Sequence, residues 1–349
     1  MKSMRNIFKC LELCLLLVLC LALTACASDT AQSAESAPPV QAEETLTPTP
    51  MPTEPPAYIE LVSGKEIEWP CGIPFEEPGF KAVDSKGEDK SEAVSVEGEI
   101  IPWKSGEYTL KYSFTDERDG LVFVERIVKL VPAEHPEEVP TEKVIYLSFD
   151  DGPCSNTAYI LELLAKYDAK ATFFIIAEEN KYSDLIPQME EQGHTVAIHC
   201  SYHDYASIYA SEEAFFEDFM KAQDFYYSKL GHYATISRFP GGAITAESYL
   251  NKNVKDGFNK VAQSLRDMGV RYFDWDIQES ETSTLETYYI FRAQVPKFQH
   301  PVILQHDARS YSIGALEEML IWGTENGYKF QAITETTPQR AYEKPMAYY

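Results

Sequence analysis

From Val144 onward the chain alternates short apolar runs with amphipathic segments, and this alternation limits the possible folds more than any other feature. Apolar runs occupy 144–149, 171–176, 195–198, 234–239, 271–277, 301–305 and 328–333. Between them the spacing turns helical: Ile160, Leu163, Leu164 and Tyr167 fall at offsets 0, 3, 4 and 7, one face of a helix. Further helices are predicted over 184–192, 211–230, 254–268, 285–298 and 314–326. Strands that are apolar throughout, joined by helices, form a parallel sheet covered on its faces. The expected class is therefore α/β, a distorted (β/α) barrel over 143–349.

Upstream the pattern changes. In GEYTLKYSFTD, Tyr108, Leu110, Tyr112 and Phe114 alternate with polar residues, the period of a half-buried strand, and LVFVERIVKLV reads as a second. Turn signals stand at Pro78-Gly79 and Asp119-Gly120. The segments FEEPGFKAVDSKG and GEYTLKYSFTD resemble the bacterial immunoglobulin-like domains of surface proteins. The resemblance implies a smaller all-β sandwich over 57–133, a spacer or a wall-binding module. AEHPEEVPTE links it to the α/β domain.

Residues 26–56 are rich in Pro, Thr and Glu, too polar to bury a core, and read as a disordered linker. The start, MKSMRNIFK, is basic, and the apolar stretch LCLLLVLCLAL after it is short for a membrane span. Leu23-Thr24-Ala25-Cys26 then resembles the bacterial lipobox. That implies a lipoprotein signal peptide over 1–25, lipid attachment at Cys26, and an extracytoplasmic chain anchored to the cell membrane and facing the wall. With the leader gone, Cys71, Cys154 and Cys200 remain, an odd number and no disulfide framework. The formal charge of −25 excludes nucleic acid as a natural partner, since phosphate affinity comes from Lys and Arg.

In parallel α/β folds reactive residues collect at the C-terminal ends of strands. Here those ends carry Asp150-Asp151, then HCSYH from His199 to His203, Arg238-Phe239-Pro240-Gly241-Gly242, the acidic stretch Asp274 to Glu281, and His306-Asp307. Two His at i, i+4 share one face if the segment turns helically, and a nearby carboxylate would complete a three-ligand site with open positions. Either motif alone is also compatible with a capping or solvated role; their order along one chain is what points to a hydrolytic site.

SFDDGP, GHTVAIHCSYH, RFPGG and ILQHD resemble, in order, the first, second, third and fifth motifs of the polysaccharide deacetylases, carbohydrate esterase family four or NodB homology group, over about 143–335. The resemblance implies that Asp151, His199 and His203 hold a divalent metal, most often Zn2+. It implies Asp150 as general base, Arg238 as its partner, Gly241 N–H as an oxyanion donor and His306 as general acid. The implied reaction is hydrolysis of N-acetyl groups from a cell-wall glycan such as peptidoglycan, releasing acetate. An O-acetyl esterase, or a non-catalytic glycan- or wall-binding lipoprotein, stands as the alternative.

The match departs from the family at three places. Cys200 replaces the Ser or Thr of the second motif, with Ser201 as a shifted substitute. Gly241 replaces the aromatic residue often found in the third, which implies a roomier groove. Alignment on Trp275 brings Glu281 to the acid of the fourth motif, which would orient His306; Asp274 and Asp276 stand open for the same role. Cys154 and Cys200, each following a site residue, are candidates for a mutual contact.

Overall fold

The computed structural model describes residues 55–134 and 136–339. The expected leader, Cys26 and nearly all of the linker over 26–56 lie outside the described residues. The first body of structure is all-β. A two-stranded pair joins β1 (Tyr58–Leu61) to β3 (Phe80–Val83). A four-stranded sheet is ordered β2–β6–β5–β4, from β2 (Glu66–Pro70), β4 (Ser95–Glu97), β5 (Gly106–Asp116) and β6 (Gly120–Val131). Along β5, Leu110, Tyr112 and Phe114 are buried while their alternates face out, as the period requires. Arg126 is wholly buried beneath this unit, paired with Glu77 at 2.9 Å and donating to Val62 O at 2.8 Å.

The second body is a parallel sheet with helices between its strands. Its path runs β11 (Arg271–Tyr272), β10 (Ile236–Ser237), β9 (Thr195–Cys200), β8 (Ala171–Ile176), β7 (Val144–Gly152), β13 (Val302–His306) and β12 (Ile277–Gln278), with β14 (Lys329–Phe330) also on β7. The helices are α1 (Thr157–Lys166), α2 (Leu185–Glu191), α3 (Tyr205–Ile208), α4 (Glu212–Leu230), α5 (Gly242–Asn253), α6 (Gly257–Asp267), α7 (Thr284–Gln294) and α8 (Ser310–Glu325). The sheet curls but stays open, so it is a half-barrel in which β11 and β12 are the two edges.

Two sequence expectations change here. The apolar run 271–277 is not one strand: it splits into β11 at one edge and β12 at the other, and residues 273–276 cross from one edge to the other. Asp276 terminates that crossing by accepting from Val302 N–H at 2.9 Å. Helix α5 has no counterpart among the expected helices, because its buried face is built from the small residues Gly242, Ala243 and Ala246, with Leu250, and lacks a strong apolar stripe.

The β domain packs directly on the α/β domain. Trp103 stacks on buried Phe216 of α4, centroids 5.1 Å apart, and Ser105 Oγ donates to Asp267 Oδ2 at 2.6 Å. Gly72 sits so close to Met268 that a β-carbon there would come within 2.9 Å of it. These contacts make the β domain a docked module with a buried seam.

His194, just before β9, lies edge-on to Phe173 with centroids 5.6 Å apart, and its Nδ1 accepts from Ala171 N–H at 3.2 Å. Burial pushes its pKa down to about 4, and the Lys170 charge adds to this. The unfolded chain, with an imidazole pKa of about 6.5, therefore takes up this proton first. The stability His194 confers is complete above that pH and is lost as pH falls toward 4. Urea midpoints should drop over this window, and His194→Gln, which keeps an acceptor for Ala171 but cannot titrate, should flatten the drop.

Candidate active site

The C-terminal end of β7 sets the site. Successive strand residues point to opposite faces, so neighbouring carboxylates would normally part. The strand breaks that rule: its register with β8 shifts between Asp150 and Gly152, and Asp151 takes φ +71°, in the left-handed region. This bulge lets Asp150 and Asp151 serve one mouth. Gly152 is required beside it, because a β-carbon there would lie 2.1 Å from Asp307 Oδ2.

Asp150 is buried and accepts from Arg238 Nη1 at 2.8 Å. Arg238 is itself buried, at 1% exposure, and every arm of its guanidinium is used: Nη1 also donates to Ser148 Oγ at 2.8 Å, Nε to Phe273 O at 2.8 Å and Nη2 to Asp274 O at 3.4 Å. Its Cζ lies 4.0 Å from the centroid of the Phe174 ring. A buried ion pair is tolerated only when its remaining polar groups are satisfied, and this one meets that condition.

Asp151, His199 and His203 converge. Asp151 Oδ1 stands 3.5 Å from His199 Nε2 and 3.6 Å from His203 Nε2, and the ligand atoms of all three lie within 4.8 Å of one another. Three features fit a cation. Asp151 Oδ1 is buried without a hydrogen-bond partner. His199 Nδ1 lies 3.0 Å from Arg238 O; donating its proton there leaves the Nε2 lone pair facing the cluster. Burial holds the His199 imidazole below its ordinary pKa, against the pull of Asp150 and Asp151.

The HCSYH segment is not helical: His199 and Cys200 end β9, and Ser201 to His203 bend away after it. Asp218 of α4 braces it, accepting from Ser201 N–H at 2.9 Å, Ser201 Oγ at 2.5 Å and Tyr202 N–H at 2.9 Å. Ser201 thus supplies the hydroxyl missing at Cys200, one residue along. Cys200 is buried, stands outside the ligand cluster, and has its thiol pKa pushed well up by burial. Cys154 and Cys200 are not bridged; Cys154 Sγ instead accepts from Asn156 N–H at 3.4 Å.

On the far side of the mouth, His306 Nδ1 pairs with Glu279 Oε1 at 2.7 Å, and His306 N–H donates to Glu279 Oε2 at 3.2 Å. Burial opposes a charge on this imidazole, but the Glu279 hydrogen bond and the nearby Asp150 carboxylate outweigh it and raise its pKa. Glu279, not Glu281, therefore orients His306. Glu281 is exposed and lines, with Arg309 and Tyr311, a cavity of about 260 Å³ beside His306. Asp274 is occupied with Ala243 N–H at 3.0 Å, and Asp276 with Val302 N–H. The reason is register: β12 lies parallel to β13, Gln278 opposite Leu304, and Glu279 N–H bonds Leu304 O, which carries the next carboxylate to His306.

Gly241, with φ +73°, caps α5, and its N–H has no partner among the described residues. A larger cavity of about 420 Å³ lies where β9 and β10 begin, lined by His194, Tyr226 and His232, and holds none of these groups.

Asp307, absent from the expected roles, ties the site together. It is fully buried, accepts from Thr157 Oγ1 at 2.6 Å, and burial pushes its carboxyl up to about 6. Its carbonyl accepts from Asn156 Nδ2 at 2.8 Å, so the end of β13 is stitched to the turn after β7. Gly152→Ala, which drives a methyl into this carboxylate, should cost about 1–3 kcal/mol or more in urea denaturation.

The polysaccharide deacetylase family model matches residues 137–261, and that of the bacterial surface protein Ig-like domain matches 59–130. A peptidoglycan-N-acetylglucosamine deacetylase of Bacillus cereus is 31% identical over 196 residues, 55% of this chain and 70% of the relative. The putative polysaccharide deacetylase YheN of Bacillus subtilis is 27% identical over 56% of this chain and 68% of its own length. Among solved structures, the catalytic domain of a peptidoglycan N-acetylglucosamine deacetylase from Eubacterium rectale superposes with a TM-score of 0.56 at 33% identity, covering 60% of this chain and 97% of that one. With the fold and the strand-end clusters in agreement, the chain belongs to the polysaccharide deacetylase family and is a carbohydrate deacetylase.

Proposed function

We propose that this chain removes N-acetyl groups from a cell-wall polymer of N-acetylhexosamine units, peptidoglycan foremost, releasing acetate and leaving a free amine. The observation that carries the reading is the pairing on either side of one cluster: Asp150 with Arg238, and His306 with Glu279, flank Asp151, His199 and His203. The peptidoglycan deacetylases among its relatives support the choice of polymer.

Asp151, His199 and His203 are the residues that would hold a divalent cation, and zinc suits two imidazoles and a carboxylate. The chemistry such an ion supplies is Lewis acidity toward the acyl carbonyl and toward water. Asp150 takes the proton of the attacking water; Arg238 fixes the carboxylate through Oδ1 and leaves Oδ2 toward the mouth, 3.8 Å from His199 Nε2. Gly241 N–H donates to the acyl oxygen as it gains charge. His306, held through Nδ1, presents Nε2 to the leaving nitrogen and protonates it as the carbon–nitrogen bond breaks.

The same reading extends to location. The leader over 1–25 and the lipobox-like Leu23-Thr24-Ala25-Cys26 support export and a lipid anchor at Cys26, with the segment 26–56 spacing the domains at 57–133 and 143–349 from the membrane.

Acetate release from N-acetylglucosamine oligomers should require metal, stop on chelation and return with added zinc. Asp150→Asn should lower it by about 10²–10⁴-fold. Equal or faster release from O-acetylated xylan would instead assign the esterase reaction. Glu279→Gln should lower turnover by about tenfold to a hundredfold, whereas Glu281→Gln should leave it within about twofold; the reverse order would overturn the pairing with His306.

A further inference from the structure

The glycine at 241 predicts a roomier groove, yet the space beside it is filled. A β-carbon built on Gly241 would lie 2.8 Å from Tyr205 Oη, 2.9 Å from Tyr205 Cζ and 3.0 Å from Thr245 Oγ1. Tyr205 comes from another strand end: it opens α3, just after β9 and its following bend present His199 and His203. Its ring is packed by His203 at 5.3 Å, Tyr249 at 6.1 Å and Tyr209 at 6.2 Å between centroids. Tyr209 is locked in turn, donating its hydroxyl to Pro240 O at 2.8 Å. Asp204 caps the turn below, accepting from Ser207 N–H.

The phenol therefore has a fixed position, and its hydroxyl is the one part without an engagement. Tyr205 Oη makes no hydrogen bond among the described residues, whereas the neighbouring Thr245 hydroxyl is used by Gly241 O at 2.6 Å. An aromatic hydroxyl pinned by its ring, half-buried and unpaired, beside a backbone N–H that is also unpaired, brings two unengaged donors close together.

The geometry points to Tyr205 as a substrate-contacting residue: its ring takes the place of the side chain missing at Gly241, and its O–H donates to the acyl oxygen beside Gly241 N–H. This rests on the reading that the acyl group is hydrolysed at this mouth. A neutral carbonyl accepts such a bond weakly and an oxyanion strongly, so the contact acts chiefly in the transition state. No proton need be transferred; the phenol polarises the oxygen and keeps its hydrogen.

The test is Tyr205→Phe, which removes only the hydroxyl, with Tyr249→Phe as a control on the packing. Metal content and melting temperature are matched to wild type, and penta-N-acetylchitopentaose is the substrate. Tyr205→Phe should lower kcat by about tenfold or more while KM moves by less than about threefold. Tyr205→Ala should impair both, and Tyr249→Phe neither. An unchanged kcat in Tyr205→Phe overturns the assignment whatever happens to KM. Should wild type release no acetate from N- or O-acetylated oligomers, the deacylation reading fails first. The acyl-oxygen contact falls with it, whereas an active wild type whose kcat survives Tyr205→Phe overturns the contact alone.

Discussion

The Arg238 guanidinium is the constraint on which the rest of the site depends. It spans the half-barrel from β10 to β7, binding Asp150, Ser148 and two carbonyls of the 273–276 crossing. A charge buried this deeply is costly unless each donor is met, so its partners are fixed together or not at all. Because His199 Nδ1 reads the Arg238 carbonyl, the same residue also sets which imidazole nitrogen faces the cluster. Asp150 is thereby aimed and His199 oriented by one side chain and its own backbone.

A second constraint is conformational. Two adjacent strand residues cannot face the same way without a break in the pleat, and the left-handed backbone at Asp151 is that break. Such a conformation is strained for a residue with a side chain and persists because its surroundings hold it. Gly152 against Asp307, and Asp307 against Thr157, are those surroundings. The strain is stored where Asp151, the candidate metal ligand, projects from the strand.

Much of this was legible in the residues. The alternation of apolar runs and helical spacing located the parallel strands, and polar residues stacked after them located the mouth. The shift of the bracing hydroxyl from position 200 to Ser201 was also visible, since both residues are small and adjacent. What was not legible followed from contacts that spacing does not encode. Residues 271–277 look like one strand because composition cannot reveal that their two ends pair with different neighbours. The choice of Glu279 over Glu281 depends on the β12–β13 register, and the four acids Asp274, Asp276, Glu279 and Glu281 are equivalent until that register is known. The docking of the β domain through Trp103 and Phe216 joins residues whose segments each satisfy their own period.

The sequence by itself determined which residue types stand at which strand ends: SFDDGPC after one strand, HCSYH after another, RFPGG and ILQHD after two more. It did so because hydrophobic period and turn chemistry are local properties. Only the tertiary structure decided which of those groups meet. Glu279 reaches His306, Asp307 closes on Gly152, and Tyr205 fills the space left by Gly241, because each pairing depends on the curvature of a sheet that brings distant strand ends to one mouth. A glycine that reads as an empty position in the chain is, in the fold, the space another loop occupies.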